Sequence, residues 1–241
     1  MKYSIIITNY NYEKFLSLCI DSCLKQSNKI SFEVIVINDG STDGSEIVLK
    51  KYNSSCFRFY TIKNCGIEAA SNFGFKKAKG IFLIRVDADD MLSQNYLEII
   101  DKYVDKHDNM FYYPNYTVID DQGKKTESVN LPNFNKNEIL KRGDFLATGT
   151  VYRKDHLKKL NFYSEYIKNS GLENYELVIK LILSGINGKR IPENLFYYRR
   201  HNLNMSEIKK EKIVKAGEEL FQKFNLGRYS TNENHPYKLI K

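Results

Sequence analysis

Short apolar runs alternate with amphipathic stretches along the first hundred residues. Tyr3 to Thr8 is a short, nearly continuous apolar run, the pattern of a strand buried on both faces. Glu13 to Lys25 follows with Phe15, Leu16, Cys19, Ile20, Cys23 and Leu24 on one helical stripe. Phe32 to Ile37 predicts a second strand ending in Asn38-Asp39-Gly40. Ser45 to Tyr52 predicts a short helix behind the capping candidates Ser41, Thr42 and Asp43. The pattern repeats with a strand over Phe57 to Ile62, a helix over Glu68 to Ala78, and a strand over Ile81 to Val86 that runs into Asp87-Ala88-Asp89-Asp90. Gln94 to Lys106 is helical again. Such alternation implies right-handed crossovers and an α/β fold: a Rossmann-like, mostly parallel central sheet with helices on both faces. Ligands of such sheets bind beyond the carboxyl ends of the strands. Thr8 to Tyr10, Asp39 and Asp87 to Asp90 all lie at those ends and should converge on one crevice.

The second half is less regular. Met110 to Ile119 is strand-like, Asp121-Gln122-Gly123 is a turn, and Leu146 to Tyr152 is β-rich after a Gly143-Asp144 break. Leu172 to Leu183 predicts an amphipathic helix closed by Ser184-Gly185, followed by a strand over Leu195 to Arg199. Glu207 to Phe224 predicts a charged helix whose apolar positions are Ile208, Ile213, Val214, Leu220 and Phe221.

Composition narrows the class. The 241 residues fit one large α/β domain with a short appendage. With 42% hydrophobic and 27% charged residues, and only 4 prolines, the chain is neither disordered nor low in complexity. Its apolar runs fall far short of the roughly 18 residues that cross a bilayer. The start of the chain shows no secretory signal, so a cytosolic location is expected. Cys19, Cys23, Cys56 and Cys65 have no CxxC spacing and predict reduced, mostly buried thiols. The 37 Lys and Arg against 29 Asp and Glu leave a net charge of +8, which suggests a polyanionic partner: nucleic acid, an anionic membrane face or a phosphorylated small molecule.

Two loops carry candidate chemistry. Carboxylates at i and i+2 in Asp87-Ala88-Asp89-Asp90 can turn toward one divalent cation, and hard oxygen ligands suit Mg²⁺ or Mn²⁺ held partly by substrate phosphates. Three neighbouring acids repel one another unless a cation sits there; otherwise they form an acidic turn capping the next helix. In Asn38-Asp39-Gly40-Ser41-Thr42-Asp43-Gly44-Ser45 the glycines permit a tight turn, and Asp39 can accept a hydrogen bond from a base N–H or a ribose hydroxyl.

Taken together, these residues resemble the family-2 glycosyltransferases with the GT-A fold. Ser4 to Asn11 is similar to that family's first strand and nucleotide-contacting turn. The likeness continues through Val34 to Ser45, through Asn64-Cys65-Gly66 with Asn72 and Gly74, and through Arg85 to Asp90, which looks like its DxD signature. Gly171 to Leu177 resembles its Glu-Asp motif and Tyr197 to His201 its later Tyr-Arg-x-His element. No GxGxxG follows the first strand, which disfavours a dehydrogenase. The resemblance implies that residues 1–108 bind the nucleotide sugar, that 109–206 form the acceptor side of the same domain, and that 207–241 are a helical tail. It further implies that Thr8, Tyr10 and Asp39 hold the base, that Asn64 lines that pocket, and that Asp87 meets ribose or sugar. Asp89 would bind a Mn²⁺ or Mg²⁺ cofactor, with His201 near the metal or diphosphate and Arg199 and Arg200 as phosphate clamps. The family's general base is commonly the Asp of the Glu-Asp motif, but Asn174 stands there, and an amide cannot take a proton at neutral pH. Glu173, ahead of Glu176, is the catalytic candidate.

The sequence therefore predicts a metal-dependent, inverting glycosyltransferase that moves a sugar from a nucleotide-diphosphate donor, a UDP-sugar first, to a glycan or lipid-linked acceptor in surface polysaccharide or glycoconjugate synthesis. A non-catalytic nucleotide-sugar binder, prompted by Asn174, and a nucleotidyltransferase are the alternatives. The latter wants a Gly-rich basic loop after the first strand, where Thr8-Asn9-Tyr10-Asn11 stands instead. Nucleic acid is not an expected partner, because no recognisable binding signature accompanies the charge. Residues 202–241 hold eight Lys and Arg against five Glu, a net +3. The basic balance thus predicts peripheral contact with an anionic membrane at its inner face.

Overall fold

A computed structural model of the chain describes residues 1–27, 29–104, 109–142, 149–166, 168–202, 204 and 210–231. The first four strands, β1 (Tyr3–Asn9), β2 (Phe32–Asn38), β3 (Phe57–Thr61) and β4 (Phe82–Asp87), lie in the order β3-β2-β1-β4 and are all parallel. Helices α1 (Glu13–Leu24), α2 (Ser45–Leu49) and α3 (Ile67–Lys77) make the crossovers, as the periodicity predicts. The chain direction from β1 reverses between β2 on one side and β4 on the other, so a crevice opens at the carboxyl end of β1.

Strand alternation sorts the core into two layers. Tyr3, Ile5, Ile7, Val34, Val36, Phe82, Ile84 and Val86 face α1 and α4 (Tyr96–Tyr103), against Leu16, Ile20 and Leu97. Ile6, Ile35, Ile37 and Leu83 face the other way, toward α3 and α7 (Glu173–Leu183). Arg85 follows Leu83 by two positions and therefore belongs to this second, otherwise apolar layer, where it is fully enclosed.

Beyond β4 the sheet becomes mixed. β8 (Val151–Arg153) pairs antiparallel with β4, β6 (Met110–Ile119) lies beside β8, and β9 (Asn187–Arg199) runs parallel to β6. The two-residue β5 (Met91–Leu92) closes that edge against β9, and β7 (Lys125–Val129) pairs with β6. Helices α5 (Lys136–Arg142), α6 (Lys154–Lys159) and α8 (Lys210–Lys223) complete the described elements. β9 is longer than the predicted Leu195 to Arg199: Pro192 interrupts its apolar pattern, yet it sits at a register shift where β9 bulges and Asn115 Nδ2 donates to the Pro192 carbonyl at 2.9 Å. Of the predicted Leu146 to Tyr152 strand, only its end lies among the described residues; Gly143, Asp144 and Leu146 lie outside them, as do Glu207 and Ile208 of the tail helix. All four cysteines are free thiols, but only Cys19 and Cys23 are buried, because Cys56 and Cys65 sit on loops. No described helix is long and apolar enough to cross a membrane.

Candidate active site at the β1–β4 switch point

Register brings the distant carboxyl ends together. Thr8 of β1 stands opposite Asp87 of β4, and its hydroxyl donates to Asp87 Oδ1 at 3.4 Å. Asn9 stands opposite Asn38, and its amide reaches Ser41 Oγ at 3.0 Å. Asn11, in the left-handed region at φ 60°, accepts the Thr42 amide at 2.8 Å, which ties the β1 loop to the β2 loop. Tyr10, between them, is about half exposed.

Asp39 is buried and holds the next loop. One of its oxygens accepts the Cys65 amide at 2.7 Å; the other accepts the Gly66 amide at 2.9 Å and Asn64 Nδ2 at 3.2 Å. Gly40 must be glycine here, since it has φ +71° and a Cβ would stand 2.7 Å from the Asn64 nitrogen. Asp39 and Asn64 are thus brought together as expected, with Asp39 also serving as the clamp that places the Asn64–Gly66 turn.

The acidic loop divides its labour. Asp90 Oδ1 accepts the Arg199 amide at 2.8 Å. Asp89, nearly buried, approaches His201 Nε2 at 3.0 Å through Oδ2, and Asn204 Nδ2 lies 3.4 Å from the same oxygen. The rings of Tyr12 and Phe15 pack on the His201 imidazole at 5.7 and 5.0 Å. Asp87 is the least enclosed, with about 28% of its side chain accessible. Its carboxyl is pushed up to about 6 by desolvation, with Asp89 and Glu173 adding to the rise and Arg85 opposing it.

Glu173 opens α7 and is buried. Arg85 Nη1 donates to Glu173 Oε1 at 2.8 Å, and Arg85 Nη2 lies 3.2 Å from Asp87 Oδ1. Glu173 Oε2 is enclosed without a hydrogen-bond partner. Asn174 accepts the Tyr163 hydroxyl at 2.5 Å. The segment before α7 is fixed to α3, since Glu68 accepts the Asn169 and Ser170 amides at 2.8 and 2.7 Å and Asn72 pairs with the Tyr163 backbone.

Arg199 requires a correction. It is almost completely enclosed, and its guanidinium donates to the carbonyls of Asp89 at 2.8 Å and Asp120 at 3.0 Å while lying over the Phe15 ring. A phosphate clamp needs free donors facing the crevice, and this side chain spends them on its own loops. Arg200 is exposed on the turn beyond. Sequence reasoning gave no role to Arg85, Tyr163 or Asn204; the available signal was a lone cation inside the apolar Ile81 to Val86 run.

Among the described residues, no three His, Cys, Asp or Glu side chains gather closely enough to hold an ion alone. The donors present still fit a divalent cation. One carboxylate and one imidazole 3.0 Å apart form a partial shell, and Mg²⁺ or Mn²⁺ bound with a diphosphate takes its remaining ligands from substrate and water.

An uncharacterized glycosyltransferase of Rickettsia bellii is 37% identical over 141 residues, covering 58% of this chain and 20% of that protein. The minor teichoic acid biosynthesis protein GgaB of Bacillus subtilis is 31% identical over 173 residues, covering 66% of this chain and 19% of that protein. This chain therefore spans about a fifth of the length of each. The S. aureus TarS 1–349 structure in complex with UDP-GlcNAc superimposes with a TM-score of 0.75 over 95% of this chain and 67% of that one, at 21% identity, which shows a shared GT-A fold. The sequence model of glycosyl transferase family 2 matches residues 4–160. With that match spanning more than half its length, the chain belongs to glycosyl transferase family 2.

Proposed function

We propose that this chain is a metal-dependent, inverting glycosyltransferase domain that takes its sugar from a nucleotide-diphosphate donor, a UDP-sugar first. The observation that carries this reading is the nearly buried Asp89–His201 pair beside Asp87, at the switch point of a family-2 domain. Residues 1–108 form the donor half, in which Thr8, Tyr10, Asp39 and Asn64 line the base and ribose pocket and Asp87 accepts sugar or ribose hydroxyls. Asp89 and His201 hold Mn²⁺ or Mg²⁺, which when bound offsets the negative charge of the diphosphate leaving group. Residues 109–206 form the acceptor half.

In a single displacement, the acceptor oxygen bonds to the anomeric carbon from the face opposite the diphosphate. The carbon–phosphate-oxygen bond breaks, its electron pair leaves with the nucleotide, and the configuration inverts. The acceptor proton goes to Glu173, because Asn174 cannot take it; Arg85 Nη1 holds that carboxylate through Oε1 at 2.8 Å. The acceptor is a glycan or lipid-linked sugar in surface polysaccharide synthesis, at the cytoplasmic face of an anionic membrane. The role named for GgaB and the ligand named for TarS support this choice of acceptor and donor.

The test is a thermal-shift screen with UDP-, GDP-, CMP- and dTDP-sugars and Mn²⁺, followed by release of free nucleotide. A donor at 100 times its Kd stabilises the fold by about 2.7 kcal/mol. UDP-sugars should shift the midpoint only with Mn²⁺, and Asp89→Asn should abolish that dependence. No shift with any donor, or an unchanged Mn²⁺ requirement in Asp89→Asn, would overturn the reading. Asn174, occupied by the Tyr163 hydroxyl, favours one second reading, a nucleotide-sugar binder; tight UDP-sugar binding without turnover would select it.

A further inference from the structure

We infer that Arg85 is a positioning residue for transfer: its guanidinium fixes the donor-side carboxylate Asp87 and the acceptor-side carboxylate Glu173 relative to each other. The inference rests on the roles proposed above for those two carboxylates.

Strand alternation puts Arg85 in the apolar layer behind Leu83, where only 3% of it is accessible. A buried cation destabilises the fold unless its charge and hydrogen bonds are matched. Here the two matches come from two elements, β4 and α7. Nη1 takes Glu173 Oε1 at 2.8 Å, from the first turn of α7. Nη2 takes Asp87 at 3.2 and 3.3 Å, from the end of its own strand. The planar fork allows both at once, which a point-charge ammonium cannot. The Tyr163 ring lies 5.6 Å from the guanidinium carbon, so the face of the fork is also held.

Glu173 Oε2 and Arg85 Nε are enclosed and have no protein partner. The bridge therefore orients Glu173 by one oxygen and leaves the other without a protein partner. Donor and acceptor halves are distant in sequence, and no other described side chain bonds both carboxylates.

The experiment compares the wild type with Arg85→Lys and Arg85→Gln, measuring donor KM, kcat for nucleotide release and the unfolding midpoint. Misplacing a reacting group by about 1 Å costs about 100-fold. Arg85→Gln should lose about 100-fold in kcat with a smaller change in KM. Arg85→Lys should recover the unfolding midpoint while remaining at least about tenfold low in kcat, since a lysine restores charge without the bridge. A purely structural role predicts that Lys restores stability and kcat together, and that outcome, or wild-type kcat in a folded Arg85→Gln, would overturn the inference. If the wild type turns over no donor, the functional reading fails by itself. The bridge is then judged from a crystal structure of Arg85→Lys, in which undisplaced Asp87 and Glu173 side chains would refute it.

Discussion

Replacing Asp39 by Asn tests whether one buried carboxylate sets the edge of the nucleotide pocket. In the wild type its two oxygens accept the Cys65 amide at 2.7 Å, the Gly66 amide at 2.9 Å and Asn64 Nδ2 at 3.2 Å. Asparagine keeps one acceptor. Its NH2 then faces a backbone N–H, donor against donor, and leaves that amide without an acceptor at a cost of about 1–3 kcal/mol. The surviving bond loses the assistance of the negative charge, which roughly doubles its strength. The sum is about 3 kcal/mol. For a chain of this size each kcal/mol moves the midpoint by about 2–4 °C, so Tm should fall by about 6–12 °C in a thermal melt followed by circular dichroism. A second readout is local. Desolvation and the neighbouring Asp39 push the Cys65 thiol up to about 11. Removing that negative charge should therefore increase the thiolate fraction and speed alkylation of Cys65 at pH 8, followed by peptide mass spectrometry. A Tm within about 2 °C of wild type, together with unchanged Cys65 alkylation, would show that Asp39 does not hold the turn.

Two further predictions concern α3, to which the segment before α7 is bound. Gly74 lets α3 lie close on the sheet, since a Cβ there would stand 2.6 Å from Ile6 Cγ2 and 3.2 Å from Ile37 Cγ1. Gly74→Ala sets an overpacking cost of about 1–3 kcal/mol against a helix-propensity gain of about 1 kcal/mol, so the urea midpoint should fall, and a rise would refute the close packing. Glu68 is raised above the ordinary 4.5 by burial first and Glu173 second, against its backbone hydrogen bonds. The native state thus holds a proton over a pH range in which the unfolded chain has lost it. That contribution is fully present below the ordinary carboxylate value and is lost as pH rises through the folded one. Urea unfolding should show a shallower decline of stability as pH rises above about 4.5 in Glu68→Gln than in wild type; parallel slopes would contradict this.

Much of the fold was legible because its signals are local. The apolar runs of β1, β2 and β4 are too strong to be anything but enclosed strands, and the Phe15, Leu16, Cys19, Ile20, Cys23 stripe gives α1 directly. The full length of β9 was not legible, because Asn187 to Asn194 is polar and contains Pro192; pairing along β6, with a bulge that accommodates the proline, supplies what local propensity lacks. β5 and β7 were missed for a related reason. Two residues cannot show a period, and all but the last residue of β7 are exposed, so neither has an apolar face to advertise.

The candidate site follows the same division. That Thr8, Asp39 and the Asp87 to Asp90 loop stand at strand ends follows from the local pattern alone, because the apolar runs before them end there. The family is legible in the same way, through motifs that each lie within a few residues of chain. What each polar side chain faces depends on residues far away along the chain. Asp89 meets His201 across 112 residues, and Arg85 meets Glu173 across 88. Arg199, expected as a phosphate clamp, lies inside and braces the loops of Asp89 and Asp120. A charge in a sequence has no partner until the backbone brings one, and burial then sets whether it binds a ligand or supports the fold.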